Sequence, residues 1–273
     1  FVKWTADDLV RQTANLHTAI MVAAALLILP VAPGFAKFIR WITPFSRKPE
    51  PSSFLEQAWL GRPEKALDAS IRELQRMAGL CDQNLSHARS LLYKPSRRTL
   101  KVARENERAV NEIKTAQLRY LADIARHVLS RRQGILLQYL QRCADDVERI
   151  GDHIARICEL SARRFRKEGV YFPDDLYGEL LGLQEVAQTV LRRVIDSLDP
   201  DADDFEARGR NVLKAQAAYR RRSEELESAF MARMENKDLP PLVGVRFQSY
   251  LSSFGRIVRH AGNIAQTEQH PDF

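Results

Sequence analysis

VERIGDHIARI, Val147 to Ile157, and FGRIVRHAGNI, Phe254 to Ile264, align without gaps at an offset of 107 residues. They share Arg149/Arg256, Ile150/Ile257, His153/His260 and Ile157/Ile264. A chain with six histidines has few chances to place two of them at matching positions, so the correspondence reads as an internal repeat. Two helix openings echo each other as well: Arg62-Pro63-Glu64 and Phe172-Pro173-Asp174 stand 110 residues apart, a three-residue difference that one loop can absorb.

Between these anchors the sequence is helical. Long stretches are rich in Ala, Leu, Glu, Arg and Gln with few Gly or Pro. Leu67, Ile71, Leu74, Ala78 and Leu85 recur at helical spacing behind a first-turn proline, Pro63. Breaks fall at Tyr93 to Ser96, Arg131 to Gly134, Gly169 to Pro173, Asp199 to Asp201 and Asp238 to Pro241. Six runs with short connections predict antiparallel packing. The expected fold is all-α: an N-terminal transmembrane helix, then two tandem antiparallel three-helix bundles. The expected divisions are 1–43 as the last span of a membrane domain, 44–60 as a linker with three prolines, and repeats over 61–168 and 169–273.

The membrane expectation comes from the 25 uncharged residues Gln12 to Ala36. Their most apolar part, Ala19 to Ala36, reaches about 27 Å as a helix, just under the roughly 30 Å of a hydrocarbon core. Pro30, Pro33 and Gly34 suit a last helix packed among others. Lys37, Arg40, Arg47 and Lys48 follow the run, against Lys3 and Arg11 before it. That bias places everything after about residue 45 in the cytoplasm. Cys81, Cys143 and Cys158 have no C-x-x-C spacing and read as plain buried thiols in a reducing compartment. The chain opens at Phe1, which predicts a fragment of a longer protein.

Net charge is +7, which suits nucleic acid, a phosphate-rich ligand or an anionic membrane without choosing among them. Basic clusters such as Arg163 to Lys167 interleave with acids, and a membrane tether argues against nucleic acid. No nucleophile stands beside a base and no Gly-rich phosphate loop is present, so no catalytic residue is assigned and no enzyme is expected.

One dense group of ligand-type residues stands out, DDVERIGDH, Asp145 to His153. Glu148 and Asp152 lie four apart on one helix face. Their repulsion costs about 0.2–0.5 kcal/mol in an isolated helix, so something must offset it. A bound cation shared with a facing helix is one answer, with Glu107 and Asn111 as facing candidates. Salt bridges to the many arginines, or a solvated acidic face, are the other, and both stay open here. In the second copy Gly255 and Arg259 stand at the places of Glu148 and Asp152, and Ser252 at that of Asp145. Arginine repels a cation, so no metal is expected there.

The ERIGDH core with its preceding acid resembles the third-helix signature of PhoU-domain repeats, and RIVRHAGNI (Arg256 to Ile264) resembles a degenerate second copy. IRELQRMA (Ile71 to Ala78) and ENERAVNEI (Glu105 to Ile113) resemble the same family. Gln12 to Pro30 is similar to the last transmembrane stretch of bacterial sodium-dependent phosphate transporters that carry such a domain. The resemblance implies a metal ion (iron, or zinc, manganese or magnesium) in repeat 1 only, held by Glu148 and Asp152 with Asp145, Glu107 and Asn111. Arg149, His153, Arg256, His260 and Asn263 are then motif residues for packing and hydrogen bonding. It further implies a cytoplasmic regulatory domain of a sodium/phosphate symporter at the inner (plasma) membrane. The implied partners are an upstream transport domain, membrane lipids, and phosphate-signalling proteins or a second copy. A membrane-tethered interaction scaffold without transport is the other class that fits.

Overall fold

The computed structural model describes residues 8–28, 53–163, 169, 171–198 and 205–268. Two compact units result, Phe1–Ser52 and Ser53–Phe273. In the first, α1 spans Leu9–Ile28. No helix among the described residues is long and apolar enough to cross a membrane, so the expected transmembrane helix is not supported by the fold. The reason lies in the sequence: Arg11, Gln12, Asn15 and His17 occupy the first half of α1, and the remainder of the apolar run, 29–36, lies outside the described residues together with the basic flank. Ile20, Met21, Val22, Leu26 and Leu27 on α1 are exposed.

The second unit holds a 3-10 turn, Gln57–Trp59, and six helices: α2 (Pro63–Tyr93), α3 (Arg97–Ile124), α4 (Arg131–Arg163), α5 (Asp174–Ser197), α6 (Phe205–Glu235) and α7 (Pro241–Glu268). There is no strand among the described residues. Local chemistry sets the starts. Pro63 opens α2 with Glu64 in its first turn, as expected. The Ser96 hydroxyl accepts from Thr99 N at 3.1 Å and caps α3.

At α4 the expectation fails by four residues, because Arg131 to Gly134 form the first turn instead of a break. Ser130 explains it: its hydroxyl accepts from Gln133 N at 3.2 Å while Gln133 Oε1 accepts from Ser130 N at 3.0 Å. That reciprocal S-x-x-Q box starts a helix despite the glycine behind it. The stretch 44–60, expected to be an extended linker, is folded in its final part, and 44–52 lie outside the described residues. Leu55, Trp59 and Leu60 pack on the core, and Tyr120 Oη donates to the Glu56 carbonyl at 2.8 Å.

Helices α2, α3 and α4 pack mutually, as do α5, α6 and α7, while α4 meets α7 and α2 meets α5. A single apolar core runs through all six. Tyr250, Phe247 and Phe254 are fully buried, each worth about 1.5–3 kcal/mol of burial for the apolar part of its side chain. Phe172 sits edge-on to Phe247 and Tyr250, at 5.9 Å from each, a favoured aromatic geometry. The α2–α5 contact is polar at its edge, where Gln188 Nε2 donates to Asp82 Oδ1 at 2.9 Å and Ser86 Oγ at 2.8 Å.

Cys81, Cys143 and Cys158 are free and buried. Burial pushes the Cys81 thiol up to about 12, with Asp152 and Asp82 adding to it, so it is an inert thiol at neutral pH.

Candidate functional site

The signature segment lies in the middle of α4, where two of its faces do different work. The inward face carries Val147, Ile150, Gly151 and Ile154, all buried. A Cβ on Gly151 would lie 3.3 Å from Val110 Cγ1 and 3.5 Å from Cys81 Sγ. The glycine therefore marks a close approach of α4 to α2 and α3, where a side chain would press on Val110 and Cys81.

The acidic side of α4 faces α3. The two helices run antiparallel, fixed by Lys114 against Asp145 and Glu148 and by Arg104 Nε against Glu159 Oε1 at 2.6 Å. Lys114 Nζ lies 2.9 Å from Asp145 Oδ1 and 3.3 Å from Glu148 Oε2. Desolvation alone lowers the Lys114 pKa, but its bonds to Asp145 and its attraction to Glu148 outweigh that, so it is raised above 10.5. Asp152 sits beside this pair with its pKa raised, first by desolvation and then by Glu148, against the pull of Arg149 and Lys114. The facing candidates Glu107 and Asn111 satisfy each other, Asn111 Nδ2 donating to Glu107 Oε1 at 2.8 Å.

The site thus brings together Asp145 and Glu148, with Asp152 one turn on, but it gathers them around an ammonium group. Among the described residues no three His, Cys, Asp or Glu side chains converge to hold a metal ion. The donor set does not fit the metal that the resemblance implies. Lys114 stands between the two carboxylates that a cation would need and offsets part of their charge.

A different side of α4 meets α7. His260 Nδ1 lies 2.7 Å from Asp146 Oδ1, and Asn263 Nδ2 donates to the same oxygen at 3.3 Å. The His153 and His260 rings stack with centroids 5.8 Å apart and planes inclined by 23°. The two histidines that the sequence alignment pairs therefore touch across the seam. Burial, then His260, Arg256, Arg156 and Arg259, push the His153 pKa down from 6.5 to about 4, so its ring is neutral at pH 7. Arg149 and Arg256 are exposed, the first acting on Asp152 and the second on His153.

Sequence reasoning missed Lys114 and Asp146. The register of α3 against α4 was the hidden variable for Lys114, which stands one helical heptad after Glu107. Asp146 was visible as half of an Asp doublet, but its partners lie more than a hundred residues away.

Residues 74–161 match the model of the PhoU domain, a stretch that runs from within α2 through α3 and into α4. It is 27% identical over 186 residues to the "Putative inorganic phosphate export protein YjbB" of Salmonella typhimurium, a match over 64% of this chain and 34% of that protein. The chain therefore spans about a third of the length of that curated relative. Its fold is similar to the crystal structure of PhoU from Pseudomonas aeruginosa, with a TM-score of 0.65 at 18% identity, covering 72% of this chain and 93% of that one. The phosphate transport system regulatory protein PhoU from Streptococcus pneumoniae gives the same TM-score of 0.65 at 13% identity, over 76% and 95% of the two chains. The fold of the described helices is PhoU-like.

Proposed function

We propose that residues from about 53 onward form a phosphate-regulatory domain attached to a membrane protein that moves inorganic phosphate, and that the domain sets how readily the attached helices do so. The observation that carries this reading is the PhoU match over 74–161, which coincides with the first mutually packed helix triplet. The similarity to a protein named for phosphate export supports the same cargo. In this reading α5 to α7 are a second copy of the α2–α4 block, supported by the Val147–Ile157 and Phe254–Ile264 alignment. The apolar run to Ala36 and the basic residues after it support a tether that leaves the helical unit on the cytoplasmic side of the plasma membrane. Sodium coupling rests on the resemblance of Gln12 to Pro30 to sodium-dependent transporters, and an upstream transport domain is the implied partner.

The test is radiolabelled phosphate flux, inward and outward, with and without sodium, in cells making the whole protein or the protein lacking residues 54–273. Loss of residues 54–273 is expected to change flux as external phosphate is varied. Identical flux from the two proteins at every phosphate level refutes the regulatory reading. Sodium-independent efflux would retain the domain's role and refute the symporter.

A further inference from the structure

The seam between α4 and α7 collects positive charge that the protein does not neutralise. These helices are antiparallel, with Asp146 meeting Asn263 at one end and Ser161 Oγ lying 3.2 Å from Tyr250 Oη at the other. That register puts Arg156 level with Arg256, and His153 level with the turn that carries Arg259. Spacings of three and four residues place Arg156 beside His153 and Arg256 beside His260 on their own helices. Among the described residues Arg156, Arg256 and Arg259 pair with no carboxylate, whereas Arg104, Arg192, Arg222 and Arg233 each do. Arg149 on α4 has Asp152 for company, and Asp146 is already engaged by His260 and Asn263.

Arg156, Arg256 and Arg259 thus all lie near enough to act on His153, where its ring stacks on that of His260. These exposed like charges repel one another, and a bound counter-ion would relieve that repulsion. Guanidinium groups on both helices offer forked donors that match an oxyanion with several oxygens, and each imidazole adds a ring nitrogen. A cation is excluded by the same charges. We propose that the α4–α7 seam around His153, His260, Arg156, Arg256 and Arg259 is a binding site for a phosphate-type oxyanion. The site stands on these charges; the choice of phosphate among oxyanions rests on the phosphate-regulatory reading above.

The test uses the full chain in detergent with isotope-labelled histidine, each ring signal assigned with single histidine variants. Inorganic phosphate is titrated to about 10 mM, ten times a millimolar Kd, with chloride holding ionic strength constant. The expected result is a saturable shift of both ring signals, as an anion seated among the arginines alters the field at the stacked imidazoles. The triple variant Arg156→Gln, Arg256→Gln, Arg259→Gln is expected to keep its helical circular dichroism and lose the shift. Rings unmoved by phosphate overturn the site, and so does a shift of equal size in the triple variant. Unmoved rings alongside flux altered by loss of residues 54–273 sink the seam and leave the regulatory reading standing. Shifted rings alongside unaltered flux do the reverse.

Discussion

Replacing Lys114 with methionine keeps most of the apolar stem and removes the charge that α3 offers to α4. The ammonium and the Glu148 carboxylate are 21% and 22% exposed, so that pair lies between a surface and a buried ion pair. Exposed pairs contribute about 0–1 kcal/mol, and breaking a buried pair costs about 3–5 kcal/mol. Asp145 is 58% exposed, which reduces its share to a few tenths of a kcal/mol. The unscreened Glu148–Asp152 repulsion adds about 0.2–0.5 kcal/mol. The variant should therefore lose about 2 kcal/mol in all, which lowers Tm by about 4–8 °C in a unit of this size.

The pH dependence follows from the direction of the Lys114 shift. A lysine whose folded pKa is raised contributes fully below its ordinary value of 10.5 and loses that contribution as pH climbs through the folded value. The gap between wild type and Lys114→Met should thus be flat from pH 6 to 9 and close only in strong alkali. Thermal melts followed by circular dichroism, with and without a chelator, supply the measurement. A wild-type Tm that falls on chelation, with iron, zinc or manganese in the purified protein, would refute the resident-lysine account. So would an unchanged Tm in Lys114→Met.

Asp152→Asn should be neutral or stabilising by up to about 0.5 kcal/mol, since desolvation and Glu148 both act against its charge; marked destabilisation in denaturant melts would refute that account of the carboxylate. His153→Gln should flatten the acid limb of stability: with its pKa pushed down to about 4, His153 costs the fold progressively as pH falls from 6.5, and an unchanged limb in pH-dependent melts counts against the stacked neutral ring. Gly151→Val should cost about 1–3 kcal/mol by overpacking against Val110 and Cys81, read as a lower denaturation midpoint at unchanged slope. Ser130→Ala should cost about 1 kcal/mol and raise amide exchange at Arg131 to Gly134, because its hydroxyl caps Gln133 N.

The six long helices were legible because their apolar residues keep helical spacing and prolines punctuate them, so Pro63, Pro173 and Pro241 fall at or beside helix starts. The α4 start was misread because a glycine at 134 looks like a breaker when the Ser130–Gln133 box is overlooked. The acidic pair Glu148 and Asp152 was legible as a conflict needing relief, since spacing alone fixes which residues share a helix face. What relieves it was not legible. Lys114 reaches Glu148 through the register of two antiparallel helices, and register depends on the whole interface, including the Gly151–Val110 contact. The His153–His260 contact was half legible: alignment paired the two residues, but only packing α4 on α7 makes a paired position a touching one.

The two aligned helices, α4 and α7, meet one electrostatic problem, and the two solutions have the same sign. In α4 the carboxylates Asp145 and Glu148 remain, and a single ammonium from α3 offsets half of their charge. In α7 the positions aligned with Asp145, Glu148 and Asp152 are Ser252, Gly255 and Arg259, so the acids are gone and a cation stands in the place of one. Either change alone would weaken a cation site; together they turn a face of paired acids into one that presents excess arginine. A divalent metal would have to displace Lys114 on one helix and overcome Arg259 on the other. An oxyanion meets neither barrier at the seam, where the guanidinium groups of Arg156, Arg256 and Arg259 attract it. Replacing Lys114 or Arg259 with an acid should therefore weaken phosphate at the histidine seam before it creates any metal site, because field effects reach across the seam whereas coordination needs three converging ligands.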